Sequence, residues 1–262
     1  MAFPTTSILD NFNRANGNNV YSNGPWGATP IWSGDTSLVI SSNAAKANGS
    51  WGDVYTNTST YTDSEAYATI SSTGGTDGYL EIMVRGSGGN SGNPSYYSLG
   101  WSQHDNHDDT WRVYRSAGGA YTQLGAQFTQ APAVGHRFGI SAIGSSVIGY
   151  YDTGSGFVAK VTTSDTTHTS GRLGFEIYNS SGIDDFGGGT PGSGVTADMT
   201  RPVRVTTAPF PFFHIQYFKR FLKGVKNVWS KMGCYNLRSS SFGGYSQNSF
   251  TGSSGNKPAI AR

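Results

Sequence analysis

The stretch YLEIMVR, residues 79–85, alternates between two kinds of side chain. In an extended chain successive side chains point to opposite faces, so Leu80, Ile82 and Val84 share one face. Such alternation predicts a β-strand with one face in an apolar core. The opposite face of this strand is predicted to carry Tyr79, Glu81, Met83 and Arg85.

The same alternation recurs on both sides of this strand. Leu173, Phe175 and Ile177 fall on one face of a second run, and Phe138, Ile140 and Ala142 on one face of a third. Glycine-rich turn signals separate the runs, and many short strands at this spacing predict an antiparallel β-sandwich. Ten or more strands exceed the seven of an immunoglobulin domain and favour a jelly roll. The remaining candidate strands are 37–41, 64–70, 96–101, 111–115, 147–151 and 157–161.

Several segments of this all-β region are similar to a known family. The chain resembles the concanavalin A-like lectin/glucanase (LamG-like) jelly rolls, in the variety found in bacteriophage structural proteins and bacterial surface proteins. The resemblance covers about residues 7–190 and implies that the first and last strands lie side by side. The segments that carry it are Asp10–Gly17 (DNFNRANG), Trp26–Trp32, Leu38–Ile40 with Asn43–Ala45, Gly171–Phe175, and Ile183–Gly189.

Charge divides the chain into two parts. The 262 residues sum to +2, but residues 1–200 hold 8 Lys/Arg and 16 Asp/Glu, whereas residues 201–262 hold 10 Lys/Arg and no acid. These counts give −8 and +10, so the two parts require different surroundings. A Gly/Pro/Ser-rich stretch precedes the change, which places the predicted boundary between a jelly-roll domain, 1–194, and a basic C-terminal segment, 195–262.

Catalysis is not expected from this sequence. The related glucanases carry a Glu-x-Asp-x-x-Glu strand, whereas the three glutamates here are Glu65, Glu81 and Glu176. The strand holding Glu81 lacks both partners, and glycoside cleavage needs two carboxylates at a defined separation. We therefore predict a non-enzymatic protein, with a glycoside hydrolase as the disfavoured alternative.

A polar hairpin at 103–109 is the best candidate for a metal site. Calcium prefers several oxygen ligands, which Asp and Asn supply, although the calcium-loop spacing is missing. The alternative is an exposed acidic turn without metal. The pair Asp184-Asp185 is a second, weaker candidate. No other cofactor is expected, and the calcium ligands would be Asp105, Asn106, Asp108 and Asp109.

Aromatic residues cluster in sequence around the same hairpin and suggest a glycan site. Sugar sites combine flat aromatic faces with a few placed polar groups. The alternative is that these rings pack the core, and the alternation itself assigns Tyr97, Trp101 and Trp111 to the inner face. The predicted glycan-binding residues are Tyr96, Trp101, Trp111, Tyr114 and Tyr121.

The basic segment contains one predicted helix, about 213–233, followed by a polar extended arm, 234–262. Apolar residues at helical spacing form a stripe that suits a partner groove. Alternatives are an anionic membrane surface, packing against the chain's own sandwich and, least favoured, nucleic acid. The apolar anchors are Phe218, Phe221, Leu222, Val225, Trp229 and Met232, and the basic ones are Lys219, Arg220, Lys223, Lys226 and Lys231.

Together these features predict a virion structural or accessory protein: a capsid decoration, tail or fibre component. Its jelly roll would be exposed, and its basic segment would anchor it to other virion proteins in a homo-oligomer or lattice. No secretory signal is visible at the N-terminus, so synthesis in the host cytoplasm is expected. The alternative function is a carbohydrate-binding module or lectin that recognises cell-surface glycans.

Overall fold

A computed structural model describes residues 2–22, 24–27, 31, 37–57, 59–89, 92–103 and 108–192. The predicted domain boundary at 194, the helix at 213–233 with its anchors, and the arm at 234–262 lie outside these residues and stay predictions. Within the described part of the chain, no helix has the length and apolar character needed to cross a membrane.

The described chain is built from fourteen strands and two short 3-10 turns, Val20–Ser22 and Gly75–Asp77. The strands are β1 Ile8–Asp10, β2 Leu38–Ile40, β3 Ala45–Ala47, β4 Trp51–Tyr55, β5 Ser64–Thr73, β6 Tyr79–Ser87, β7 Ser95–Ser102, β8 Thr110–Ala117, β9 Ala120–Thr129, β10 Arg137–Ile143, β11 Ser146–Asp152, β12 Val158–Ser164, β13 Arg172–Tyr178 and β14 Ser181–Gly189.

These strands form two antiparallel sheets. An eight-stranded sheet has the order β12-β11-β10-β5-β14-β3-β2, with β1 added beside β14, and a six-stranded sheet has the order β4-β13-β6-β7-β8-β9. The predicted all-β antiparallel sandwich is therefore confirmed. The neighbourhood of the first and last strands is also confirmed, because Ile8 pairs with Gly187 and Asp10 with Phe186.

The core fills the space between the sheets. Leu80, Ile82 and Val84 are fully buried in it, as the alternation of β6 predicts, and they meet the inward faces of the neighbouring strands. Burial of this apolar area is the main driving force for the fold, at about 25 cal/mol per Å². The predicted inward residues of β10 and β13 also lie in this cluster: Phe138, Ile140, Ala142, Leu173, Phe175 and Ile177.

Arg85 departs from the predicted alternation. The pairing of β6 with β7 shifts register between Val84 and Ser87, and Arg85 adopts a positive φ of 53° within this irregular stretch. Its side chain therefore reaches the eight-stranded sheet instead of lying on the outer face. It donates four hydrogen bonds to carbonyl oxygens: Nε to Thr62 (2.7 Å), Nη1 to His168 (2.8 Å), and Nη2 to Ala142 (3.1 Å) and Gly144 (3.0 Å).

Asp10 organises the DNFNRANG segment after β1. Its carboxylate accepts hydrogen bonds from the Phe12 backbone N–H (2.8 Å) and from Arg14 Nη1 (2.9 Å and 3.0 Å). Trp26 Nε1 donates a third, at 2.6 Å. The Trp26 ring in turn packs edge-on against Phe186 of β14, with centroids 4.8 Å apart. The segment that carries the family resemblance thus ties the first strand to the core.

The N-terminal residues lie on the outer face of the eight-stranded sheet. Phe3 stacks on Tyr150 with ring centroids 3.9 Å apart. The Thr6 hydroxyl donates to Glu65 Oε1 at 2.8 Å. The other end of the described sandwich meets this segment, because the Gly192 N–H donates to Thr5 Oγ1 at 2.6 Å.

Candidate functional site

The outer face of the six-stranded sheet carries a row of three carboxyl groups. Glu176 of β13 lies directly opposite Asp53 of β4 on one side and Glu81 of β6 on the other. Residues opposite each other on neighbouring strands have Cβ atoms about 4.5–5.5 Å apart. We call Asp53, Glu176 and Glu81 the acidic row. Gly100 of β7 lies opposite Glu81 and continues the row.

All three carboxyl groups of the acidic row are buried, with Asp53 and Glu81 0% exposed and Glu176 5% exposed. Burial raises the pKa of Glu81, and the nearby Ser98 and Tyr79 hydroxyls and the Glu176 carboxyl oppose that rise. Oε2 of Glu81 accepts a hydrogen bond from Tyr96 Oη at 3.4 Å. Among the described residues, Oε1 is buried and makes no hydrogen bond of good geometry, although the Ser98 and Tyr79 hydroxyls and the Glu176 carboxyl lie nearby.

Tyrosine side chains surround the acidic row. Burial, together with the charges of Glu81 and Glu176, raises the pKa of Tyr79, Tyr96 and Tyr121. These phenols therefore stay protonated at neutral pH. A protonated phenol can donate a hydrogen bond to a carboxylate or to a ligand oxygen.

A second row, two residues along the same strands, is aromatic and partly accessible. Trp51 lies opposite Tyr178, which lies opposite Tyr79. The Trp51 ring stacks on Tyr178 with centroids 4.4 Å apart, and its distance to the Tyr79 ring is 5.0 Å. All three side chains are half-buried. We call Trp51, Tyr178 and Tyr79 the aromatic edge.

The far end of the same face is partly covered. Ile31 is buried in a small apolar cluster with Tyr55, Met83 and Tyr96. Its N–H donates to Asp53 Oδ1 at 2.9 Å. The acidic row is therefore bordered by the half-exposed aromatic edge on one side and by this apolar cluster on the other.

The structure divides the five predicted glycan residues between two environments. Trp101 and Trp111 lie in the core, 1% and 0% exposed, and their indole N–H groups donate to the carbonyls of Asp108 and Gln130. This placement corrects the grouping of these two with a surface site, because a ring between the sheets has no face open to a ligand. Tyr96, Tyr114 and Tyr121 lie on the same side as the acidic row, with Tyr96 buried and Tyr121 exposed.

The predicted calcium ligands are only partly within the described residues. Asp105 and Asn106 lie outside them. The Asp108 carboxylate accepts hydrogen bonds from the Thr110 N–H (3.0 Å) and from Arg112 Nη2 (3.2 Å). Both of its oxygens therefore have a hydrogen-bond partner within the chain. Within the described ranges, no three His, Cys, Asp or Glu side chains come together in a group that could hold a metal ion. Calcium in this hairpin stays a prediction.

Sequence reasoning missed Trp51, Asp53 and Tyr178. The only local signal is the alternation of Trp51, Asp53 and Tyr55 along β4, which marks one face of a strand. That signal does not show that this face adjoins Glu176 and Glu81.

The closeness of the glutamates limits the chemistry of the acidic row. Glu176 approaches Glu81 closely enough for the two carboxyls to share a hydrogen bond. Glycosidases hold their carboxyl groups at least about 5 Å apart, so that a glycosidic bond fits between them. Glu176 and Glu81 therefore do not form a pair of that kind.

Comparisons with known proteins address the fold. The sequence matches no family model and no curated protein. Among solved structures, the chain is similar to the VIP36 exoplasmic/lumenal domain in its Ca²⁺/Man-bound form, with TM-score 0.53, 11% identity and coverage of 75% of this chain and 94% of that one. The Ca²⁺-bound form of the same domain gives TM-score 0.50, 10% identity and 69% and 88% coverage.

A carbohydrate-binding module, CBM66 from Bacillus subtilis, gives TM-score 0.44 at 13% identity, covering 69% of this chain and 95% of that one. The similarity to the VIP36 domain, together with the two antiparallel sheets, identifies the fold as a concanavalin A-like, lectin-like jelly roll.

Proposed function

We propose that this sandwich is a lectin-like module that binds a glycan on the outer face of its six-stranded sheet. The observation that carries the proposal is the contact between a half-exposed aromatic edge and a row of buried carboxyl groups on one face. A sugar ring has an apolar C–H face and a polar rim, and binding sites match both with a few polar groups set among aromatic rings.

Each part of the face has a role in this proposal. Trp51, stacked on Tyr178, offers a flat surface for the C–H face of a sugar. Glu176 lies on the same face of β13, two residues before Tyr178, and accepts hydrogen bonds from sugar hydroxyls. Across the strands, half-buried Tyr114 and exposed Tyr121 extend the same face for further sugar units.

We expect Trp51→Ala to weaken glycan binding by about 10- to 100-fold, because loss of an aromatic contact of this kind costs about 1–3 kcal/mol. A glycan array identifies ligands for the wild-type protein, and isothermal titration calorimetry compares the variants. Tyr150→Ala is the matched control, since it removes an aromatic ring from the opposite sheet and should leave affinity unchanged. An array without hits, or equal affinities for Trp51→Ala and wild type, would contradict the proposal.

We also propose that the basic segment after residue 194 attaches the sandwich to a virion. The charge division supports this second function, because residues 1–200 sum to −8 and residues 201–262 to +10, and parts of opposite charge suit different partners. The attached protein would expose the jelly roll on a capsid, tail or fibre.

A chain truncated after Gly192 should lose incorporation into particles while its sandwich stays folded. Incorporation is measured by quantifying the protein in purified particles, and folding by circular dichroism. Replacing the five lysine and arginine anchors of 213–233 by glutamine is the milder variant, for which we expect partial loss. Normal incorporation of the truncated chain would refute the anchoring role.

A further inference from the structure

We propose that Asn48 is a site of spontaneous modification, at which the side-chain amide is converted into aspartate and isoaspartate. The sequence holds three Asn-Gly pairs: Asn16-Gly17, Asn23-Gly24 and Asn48-Gly49. Such a pair can lose its amide because glycine has no Cβ to shield its backbone nitrogen. Asn23 lies outside the described residues, so the structure compares the other two pairs.

The two described pairs share their local sequence and their backbone conformation. Each asparagine follows an alanine, and both pairs lie in exposed loops. Gly17 and Gly49 have positive φ values of 81° and 73°, and a Cβ on either glycine would meet no atom within 4 Å. Neither local sequence nor steric access therefore distinguishes Asn48 from Asn16.

Hydrogen bonds restrain the first pair. The Asn16 side-chain oxygen accepts from the Ser42 N–H at 2.8 Å. The Gly17 N–H donates to the Ile40 carbonyl at 2.9 Å. The side-chain amide and the backbone nitrogen that would have to react with each other are thus both bound to other partners. Reaction at Asn16 requires that these bonds open first.

The second pair is restrained only at its start. The Asn48 backbone N–H donates to the Ser37 carbonyl at 2.9 Å. Among the described residues, neither the Asn48 side chain nor the Gly49 N–H has a hydrogen-bond partner. The exposed Asn48 amide can therefore change rotamer and approach the Gly49 nitrogen without breaking a bond to the described chain.

The reaction consumes one water and releases one ammonia. The Gly49 nitrogen loses its proton to solvent base, attacks Cγ of Asn48 and closes a five-membered succinimide ring. The bond from Cγ to the side-chain nitrogen breaks, and that nitrogen takes up a proton and leaves as ammonia. Water then opens the ring at either carbonyl. One opening gives aspartate, and the other gives isoaspartate, in which the main chain runs through the side-chain carbon.

The modification changes the connection between the two sheets. Residues 48–50 join β3 of the eight-stranded sheet to β4 of the six-stranded sheet, and Trp51 of the aromatic edge follows directly. Either product adds a negative charge, and isoaspartate also adds one atom to the main chain. An aged preparation should therefore contain unmodified, aspartate and isoaspartate forms of this connection.

The test incubates the purified full chain at mildly alkaline pH and follows each Asn-Gly pair by tandem mass spectrometry of tryptic peptides. We expect the Asn48 pair to convert at least about tenfold faster than the Asn16 pair, because conversion at Asn16 first requires the loss of two hydrogen bonds. Enzymatic methylation of isoaspartate provides a second readout of the product.

The denatured chain is the matched control. In concentrated urea the hydrogen bonds at Asn16 are lost, so the two Ala-Asn-Gly sites should convert at rates within about twofold of each other. Asn48→Ser should abolish the product at residue 48 and leave conversion at Asn16 unchanged. Equal rates at the two pairs in the folded protein would overturn the inference, as would an Asn48 that stays unmodified while the chain in urea is converted.

Discussion

Arg85→Met should lower the free energy of unfolding by about 3–5 kcal/mol, because it leaves several buried or partly buried carbonyl oxygens without their donor. Arg85 is 2% exposed and donates to four carbonyl oxygens, including those of Ala142 and Gly144 at the end of β10. Methionine fills much of the volume but donates nothing. Each buried carbonyl left without a partner costs about 1–3 kcal/mol, partly recovered where water enters.

Urea denaturation followed by tryptophan fluorescence measures this loss. Arg112→Met is the control, because Arg112 is half-buried and bound to Asp108, whose side chain is 40% exposed. Exposed ion pairs of this kind contribute about 0–1 kcal/mol. A loss for Arg85→Met no larger than that of the control would mean that the carbonyls are solvated without the arginine.

Asp10→Asn should cost about 3 kcal/mol, although it changes one atom. The Asp10 carboxylate receives donors from three directions: Phe12 N–H, Arg14 Nη1 and Trp26 Nε1. An amide has one oxygen and one NH₂ group, so either Arg14 or Trp26 would face a donor. The buried ion pair with Arg14 is lost as well, which leaves the guanidinium without its counter-charge.

Thermal unfolding by circular dichroism checks this prediction, with the expected loss seen as a lower Tm. Asn11→Ala is the control in the same segment, because exposed Asn11 accepts only a 3.2 Å hydrogen bond from the Asn13 N–H. Its effect should stay within about 0.5 kcal/mol. If Asp10→Asn matched this control, the carboxylate would not organise the segment.

The layers of the sandwich follow from local alternation, which is why sequence reasoning found them. Leu80, Ile82 and Val84 all lie in the core because a strand with one buried face must repeat every second residue. Arg85 departs from the predicted alternation because the pairing of β6 with β7 shifts register between Val84 and Ser87. The amino-acid sequence around Arg85 does not distinguish this irregular pairing from regular alternation.

The acidic row could not be predicted because it is made by pairing between distant strands. Asp53, Glu81 and Glu176 are isolated acids in sequence, and they meet only because β13 lies between β4 and β6. Strand order in an antiparallel sandwich depends on long-range contacts that alternation does not encode. The search for a family-type motif within one strand therefore overlooked carboxyl groups that three strands bring together.

The hydrogen bond from the Gly192 N–H to Thr5 Oγ1 joins the last described residue of the sandwich to its N-terminal segment. Both ends of its chain meet at Glu65 and Phe3, on the outer surface of the eight-stranded sheet. The acidic row faces the other way, across the full thickness of two sheets. The described residues of the sandwich therefore begin and end on the surface opposite to the acidic row.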